Sequence, residues 1–244
     1  MPYDPMKAFN RKLAAQFLTS WRSCAETADL DQIAGAKTTL GEGGTPVDLR
    51  CQINARYGRF LYVLVRMFQP SRVIEIGMAN GISSAYIAKA QNTYERTQNA
   101  HTIIDPFQSS QWHNAGKALL KRLELDHNVK VVEDYSLRAI PEMEKRGEKF
   151  DFAFIDGNHC LDYTLSDLVL TDRVLHVGGL IVLDDSTDFG VKPAVKYIDK
   201  HRHNLKRIKF DISIGHFIRE VTNRRRRLTV YQKSSEDERG ADGI

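Results

Sequence analysis

Residues 73–84 read Val-Ile-Glu-Ile-Gly-Met-Ala-Asn-Gly-Ile-Ser-Ser. Four residues, apolar but for Glu75, closed by Gly77, predict a short buried strand. Gly77 and Gly81 allow a tight turn and a close backbone approach to a ligand. The helix that starts near Ser83 aims its N-terminus at the same place. In an open α/β sheet, ligands sit beyond the carboxyl ends of the strands. A dinucleotide site needs a G-x-G-x-x-G turn, so that a pyrophosphate can lie on bare backbone. The spacing here is G-x-x-x-G, and the strand carries an acid, Glu75. That excludes a diphosphate cradle and suits a positively charged ligand.

Outward from this stretch the pattern alternates. Before it, Ile53, Tyr57, Phe60, Leu61, Leu64, Val65 and Phe68 form a helical stripe from about Leu49 to Phe68, ended by Pro70. After it come a helix (83–97), a strand (101–105), a helix (114–125) and a strand (129–134). One or two helical turns follow (137–146), then a strand (150–156), a helix (160–175), a strand (178–185) and a helix (193–202). Such alternation predicts βαβ units and a parallel sheet. Segments 205–212, 215–221 and 227–233 are strand-like, with no helix before the last. The expected fold is therefore a Rossmann-like, doubly wound α/β sheet of seven mainly parallel strands with an antiparallel final strand. Residues 7–28 carry Phe9, Leu13, Phe17, Leu18 and Trp21 near helical spacing, and residues 36–48 hold four Gly or Pro and read as a loop. This divides the chain into an N-terminal helical extension (1–48), a main domain (49–233) and a polar, disordered tail (234–244). Two roles stay open for the extension, a lid over an acceptor or a homodimer contact.

The strand ends carry the chemistry. Asp105 closes the second strand, where a carboxylate can take both hydroxyls of a ribose. Asp134, Tyr135 and Ser136 close the third, placed to meet an adenine edge. Glu75 suits a sulfonium and an amino group. Together these point to S-adenosylmethionine (SAM). The stretch 73–84 resembles motif I of the class I SAM-dependent methyltransferases. It is most similar to the small-molecule O-methyltransferases of the catechol and the macrocin or aminocoumarin sugar types. Residues 58–77 resemble that family's lead-in helix and strand, and the likeness runs over about 55–232. The resemblance implies that Glu75, Gly77, Met78, Gly81 and Ser83 hold the methionine part of SAM. By the same match Asp105 holds the ribose, Ser136 lies by the adenine, and Asp156 lines the cofactor.

One strand ends at Asp156 and the next at Asp184 and Asp185. In a parallel sheet these ends are neighbours, and close carboxylates repel unless something positive sits between them. Oxygen donors of this kind select a hard cation such as Mg²⁺. Methyl transfer is an in-line displacement that needs a good nucleophile. A cation lowers the pKa of an acceptor hydroxyl, and a base beside it takes the proton. His159, three residues after Asp156, is the candidate base. The resemblance implies Mg²⁺ at these three strand-end positions. The catechol type carries Asp-Asn in the last pair, whereas this chain has Asp-Asp, as the sugar type does. The family's lysine base is absent, and His159 falls about where it should stand.

Composition bounds the alternatives. A formal net charge of +4 over 244 residues does not argue for nucleic acid. The basic run Arg224–Arg227 reads as a solvated hairpin tip. Three separated cysteines without a C-x-x-C pair speak against a disulfide framework and a cysteine zinc site. The start of the chain has no signal-peptide pattern. The longest apolar run, 60–65, is far short of the ~20 residues of a membrane span. The expectation is a soluble, cytoplasmic enzyme with a small-molecule acceptor (a sugar, polyketide or phenol), without nucleic-acid or membrane partners. Two alternatives stay open. One is metal-independent methylation of a carboxylate or amine, including on a peptide; indifference to chelator separates it from the metal reading. The other is a non-catalytic protein that binds SAM or its demethylated product, which steady turnover excludes.

Overall fold

The computed structural model describes residues 24–50, 52–95, 100–208 and 228–238. The described chain parts between Ser136 and Leu137 into two units. The first begins with a 3₁₀ turn, Ala25–Thr27, and helix α1, Ala28–Ala34. The helix expected over 7–28 lies mostly outside the described residues. What is described of the N-terminal extension is bound by acids. Asp31 accepts from Arg59 Nη2 at 2.5 Å and from Tyr86 Oη at 2.6 Å. Asp29 pairs with Lys89 at 2.6 Å, and Glu26 with Arg66 at 2.7 Å and with Tyr62. All five of these partners stand on helices α2, Ala55–Phe68, and α3, Ile82–Gln91. Asp31→Ala strips one acceptor from three donors, Thr27, Arg59 and Tyr86. The expected loss is about 2 kcal/mol, or roughly 4–8 °C in Tm for a chain of this length. A thermal melt unchanged by the substitution would contradict this latch.

The segment 36–48, expected as a loop, is a hairpin. Strands β1, Thr38–Leu40, and β2, Pro46–Asp48, pair antiparallel with Thr39 opposite Val47. Three-residue strands are too short to show alternation, so only the Gly-rich turn at 41–44 was visible. Helix α2 starts at Ala55 rather than Leu49, because the Asn54 side chain accepts from Tyr57 N at 3.1 Å and caps it there. It ends at Gln69 in the left-handed region, just before Pro70. Strands β3, Val73–Ile76, β4, His101–Ile104, and β5, Val129–Val132, are parallel in the order β5-β4-β3. β3 and β4 are buried throughout, as strands covered on both faces are. Helix α3 stops at Gln91, shorter than the expected 83–97, and α4 covers Ala115–Arg122.

Helix α5, Ser136–Lys145, is ten residues long rather than a turn or two. Pro141 inside it forgoes one helical hydrogen bond without ending it. In the second unit β6, Phe150–Ile155, is followed by α6, Leu161–Val174. β7, Leu175–Leu183, leaves that helix directly and starts three residues before the expected Gly178. Helix α7, Val191–His201, and strands β8, Leu205–Arg207, and β9, Thr229–Lys233, complete the unit. β6 and β7 are parallel, and β9 runs antiparallel to both β7 and β8. β3 to β9 form one mainly parallel, Rossmann-like sheet of seven strands flanked by helices, with the final strand antiparallel. The expected strand 215–221, the end of 205–212 and the run Arg224–Arg227 lie outside the described residues.

Behind β9 the buried side chains of Asp172, Arg202, Asn204 and Lys233 form one polar network. Lys233 Nζ donates to the carbonyls of Asp172 and Leu175 and to Glu236. Arg202 also reaches Asp237 at 3.1 Å, so residues 234–238, although without regular structure, are tied to the sheet. No described helix is long and apolar enough to cross a membrane.

Candidate functional site

In the first unit the turn after β3 is held by one carboxylate. Asp105 Oδ2 accepts from Met78 N at 2.9 Å, Ala79 N at 2.8 Å and Gln108 Nε2 at 3.2 Å. Its Oδ1 accepts from Phe107 N at 2.8 Å. A carboxylate has about two acceptor sites on each oxygen; in Asp105, 3% exposed, Oδ2 is crowded by three donors while Oδ1 takes one. The residue expected to hold a ribose is here the anchor of the 77–81 turn.

Gly77 and Gly81 both have positive φ, 89° and 79°. A β-carbon on Gly81 would lie 2.7 Å from Gly116 Cα, where α4 comes closest to the turn. Glu75 is 0% exposed. Ser83 Oγ donates to its Oε1 at 2.5 Å, and His101 Nε2 lies 2.8 Å from Oε2 without the alignment of a hydrogen bond. Among the described residues, three buried acceptors around this turn receive no hydrogen bond: Glu75 Oε2, Asn80 Oδ1 and Gln108 Oε1. At the ends of β4 and β5, Phe107 and Tyr135 meet edge to face at 5.8 Å, and Ser136 is buried beside Tyr135. The structure thus brings Glu75 and Ser83 into contact and ties Met78 to Asp105.

The second unit gathers a separate cluster. Asp156 follows β6, and Asp184 and Asp185 follow β7. His159 Nε2 lies 3.4 Å from Asp156 Oδ1 and 3.5 Å from Asp185 Oδ2, and its Nδ1 lies 3.4 Å from Asp188 Oδ2. Asp156, His159 and Asp185 each offer a ligand atom within 4.8 Å of the others. Asp184 is not in that set. It is buried, and its Oδ1 accepts from Asp185 N at 2.7 Å. Asp185 sits at φ 47°, a left-handed conformation that Asp tolerates and that concentrates at functional sites. A β-carbon on Gly190 would lie 2.0 Å from the His159 carbonyl, so the turn after β7 needs glycine to close on the turn after β6.

Asp156 beside the ring, opposed by partial burial, and then the charges of Asp156, Asp185 and Asp188 lift His159 from its ordinary 6.5 to about 9. A protonated His159 ring, within 3.5 Å of Asp156 and Asp185, would supply the positive charge that the carboxylates require. A raised pKa contributes stability below about 6.5 that is lost as pH rises through about 9. With chelator present, the His159 ring resonances should titrate near pH 9 in NMR spectra. A midpoint near 6.5 would contradict the cluster.

Residues 74–186 match the family described as "Methyltransferase domain". Over that stretch the chain is similar to members of this family. It is 30% identical over 154 residues to tapetum-specific methyltransferase 1 of Arabidopsis thaliana, covering 62% of this chain and 58% of that one. It is 24% identical over 149 residues to the catechol O-methyltransferase of Mycobacterium tuberculosis, covering 57% of this chain and 64% of that one. The chain thus spans about three fifths of the length of these curated relatives. Among solved structures it is similar to the O-methyltransferase TomG of Streptomyces achromogenes in complex with SAM. There the TM-score is 0.59 at 19% identity, over 76% of this chain and 82% of that one, a likeness of fold.

Three residues escaped the sequence reading. Gln108 bridges the Ala79 carbonyl and Asp105, yet reads as a loop residue. Asp188 reaches His159 from a turn with no periodic signal; its one mark is that it lies three residues after Asp185. His101 is a polar residue opening a buried strand, which is the one oddity that pointed to it.

Proposed function

We propose that this chain is a SAM-dependent O-methyltransferase that methylates a hydroxyl of a small molecule, a sugar, polyketide or phenol. The observation that carries the cofactor is the set of buried acceptors Glu75 Oε2, Asn80 Oδ1 and Gln108 Oε1 around a glycine turn. SAM is rich in the donors they lack: an ammonium, two ribose hydroxyls and an adenine amine. Buried acceptors without donors are rare, so the cradle fits such a ligand. The similarity to O-methyltransferases supports the same reading. Glu75, Gly77, Met78, Gly81 and Ser83 would hold the methionine part, with Ser136, Tyr135 and Phe107 toward the adenine. With Oδ2 taken by the turn, Asp105 would act on the ribose through Oδ1, which takes one protein donor.

Asp156 and Asp185 fit a hard divalent cation, because they offer two carboxylates at mutual ligand distance, with the His159 ring beside them. Mg²⁺ is the expected ion, with Asp184 as a third carboxylate behind Asp185. When bound, the cation would lower the pKa of an acceptor hydroxyl. Asp156 and Asp185 orient it through fixed strand ends. His159 takes the acceptor proton only when the charge of its carboxylate neighbours is offset, since the ring that they hold protonated has no vacant lone pair.

The placement of the His159 ring between Asp156, Asp185 and Asp188 offers the acids a partner other than a cation, and this favours a second reading, metal-independent methylation of a carboxylate or amine. A carboxylate needs positioning more than activation. Methyl transfer from labelled SAM to a panel of catechols, sugars and carboxylates, with Mg²⁺ or with chelator, separates the two. Turnover of a hydroxyl acceptor lost in chelator and restored by Mg²⁺ is the result expected of the first reading. Turnover indifferent to chelator overturns it.

A further inference from the structure

The register of β3 and β4 pairs Val73 with His101 and Glu75 with Ile103, which puts His101 and Glu75 on one face of the sheet, one pleat apart. Both side chains are 0% exposed. The carboxylate is gripped from two sides, by Ser83 Oγ on Oε1 and by His101 Nε2 at 2.8 Å from Oε2. Neither ring nitrogen of His101 makes an aligned hydrogen bond, and Oε2 receives none. Burying an imidazole in this way costs desolvation that an apolar residue would not incur. Every other residue of β4 is Thr or Ile. Packing alone therefore gives no reason for histidine at this position.

We propose that His101 is a positioning residue for cofactor binding: it holds the Glu75 carboxylate so that Oε2 accepts from the ammonium end of SAM. This rests on Glu75 belonging to the SAM site. Ser83 fixes one oxygen, and His101 stops the carboxylate from rotating its other oxygen toward the sheet. The ligand then supplies the aligned donor that the ring does not.

The test compares two ligands by calorimetry, SAM and 5′-methylthioadenosine, which keeps the adenosine and lacks the amino-acid end. His101→Leu should raise the Kd for SAM about tenfold and leave that for 5′-methylthioadenosine within about twofold. Its Tm should fall, because removing one member of a buried pair leaves the Glu75 carboxylate without its neighbour, so the comparison of the two ligands and not the Tm carries the test. His101→Asn, which keeps an N–H near the carboxylate, should stay within about threefold of the parent for SAM. Equal losses for both ligands, or an unchanged SAM affinity, overturn the role of His101. If the leucine variant does not fold, His101→Met is scored by the same two ligands. Glu75→Gln separates the inference from its foundation. SAM binding lost in Glu75→Gln but intact in His101→Leu refutes His101 alone. SAM binding untouched by Glu75→Gln removes Glu75 from the site, and the proposal with it.

Discussion

Asp156→Ala is expected to lower methyl transfer to a hydroxyl acceptor by roughly a thousandfold, about 4 kcal/mol of barrier. Asp156 is one of three ligand atoms in the cluster and the first cause of the raised His159 pKa. Its loss would remove a ligand of the proposed cation and release the ring from its strongest partner. SAM affinity should fall far less, by under tenfold, because most candidate cofactor contacts stand on the turn after β3. Rate and binding are measured separately, by single-turnover transfer and by calorimetry. A variant that keeps near-parental turnover would remove the carboxylate from the chemistry. A variant whose SAM affinity falls as far as its rate would make Asp156 a cofactor residue first.

Asp105→Ala should act in the opposite way, on SAM binding before the rate at saturation. Four donors converge on this buried carboxylate, three of them backbone amides of Met78, Ala79 and Phe107. Leaving buried donors unsatisfied costs about 1–3 kcal/mol each, and the other side chain that holds the 77–81 turn as closely, Gln108, itself donates to Asp105. The expected effect is a rise of at least about a hundredfold in the Kd for SAM, with a fall in Tm. Asp105→Asn keeps one oxygen and should be intermediate. Calorimetry on both variants checks this. If Asp105→Ala binds SAM within threefold of the parent, the turn does not depend on its anchor.

The two predictions show what could be read in the residues themselves. The strands were legible because β3 and β4 are buried on both faces and read as apolar runs between breakers. The strand-end acids were legible because a carboxylate after an apolar run has few structural excuses. Their partners were not. Asp105 reads as a ligand-binding acid, and only the fold shows the Met78 and Ala79 amides turned onto it. Asp184 and Asp185 read as equivalent, but neighbours in a turn point apart, and only Asp185 reaches the His159 cluster. The 38–48 hairpin and the length of α5 were misread because glycine and proline mark turns more loudly than they forbid short strands or an interrupted helix.

The central claim is that the turn after β3 binds SAM. The most direct test is calorimetric titration of SAM into the purified chain, with Mg²⁺ and then with excess chelator. Binding with micromolar affinity in both conditions, weakened by Asp105→Ala, is the predicted result. No binding in either condition would contradict the assignment of Glu75, Gly77 and Gly81, and the chemistry proposed for Asp156, Asp185 and His159 would lose its methyl donor.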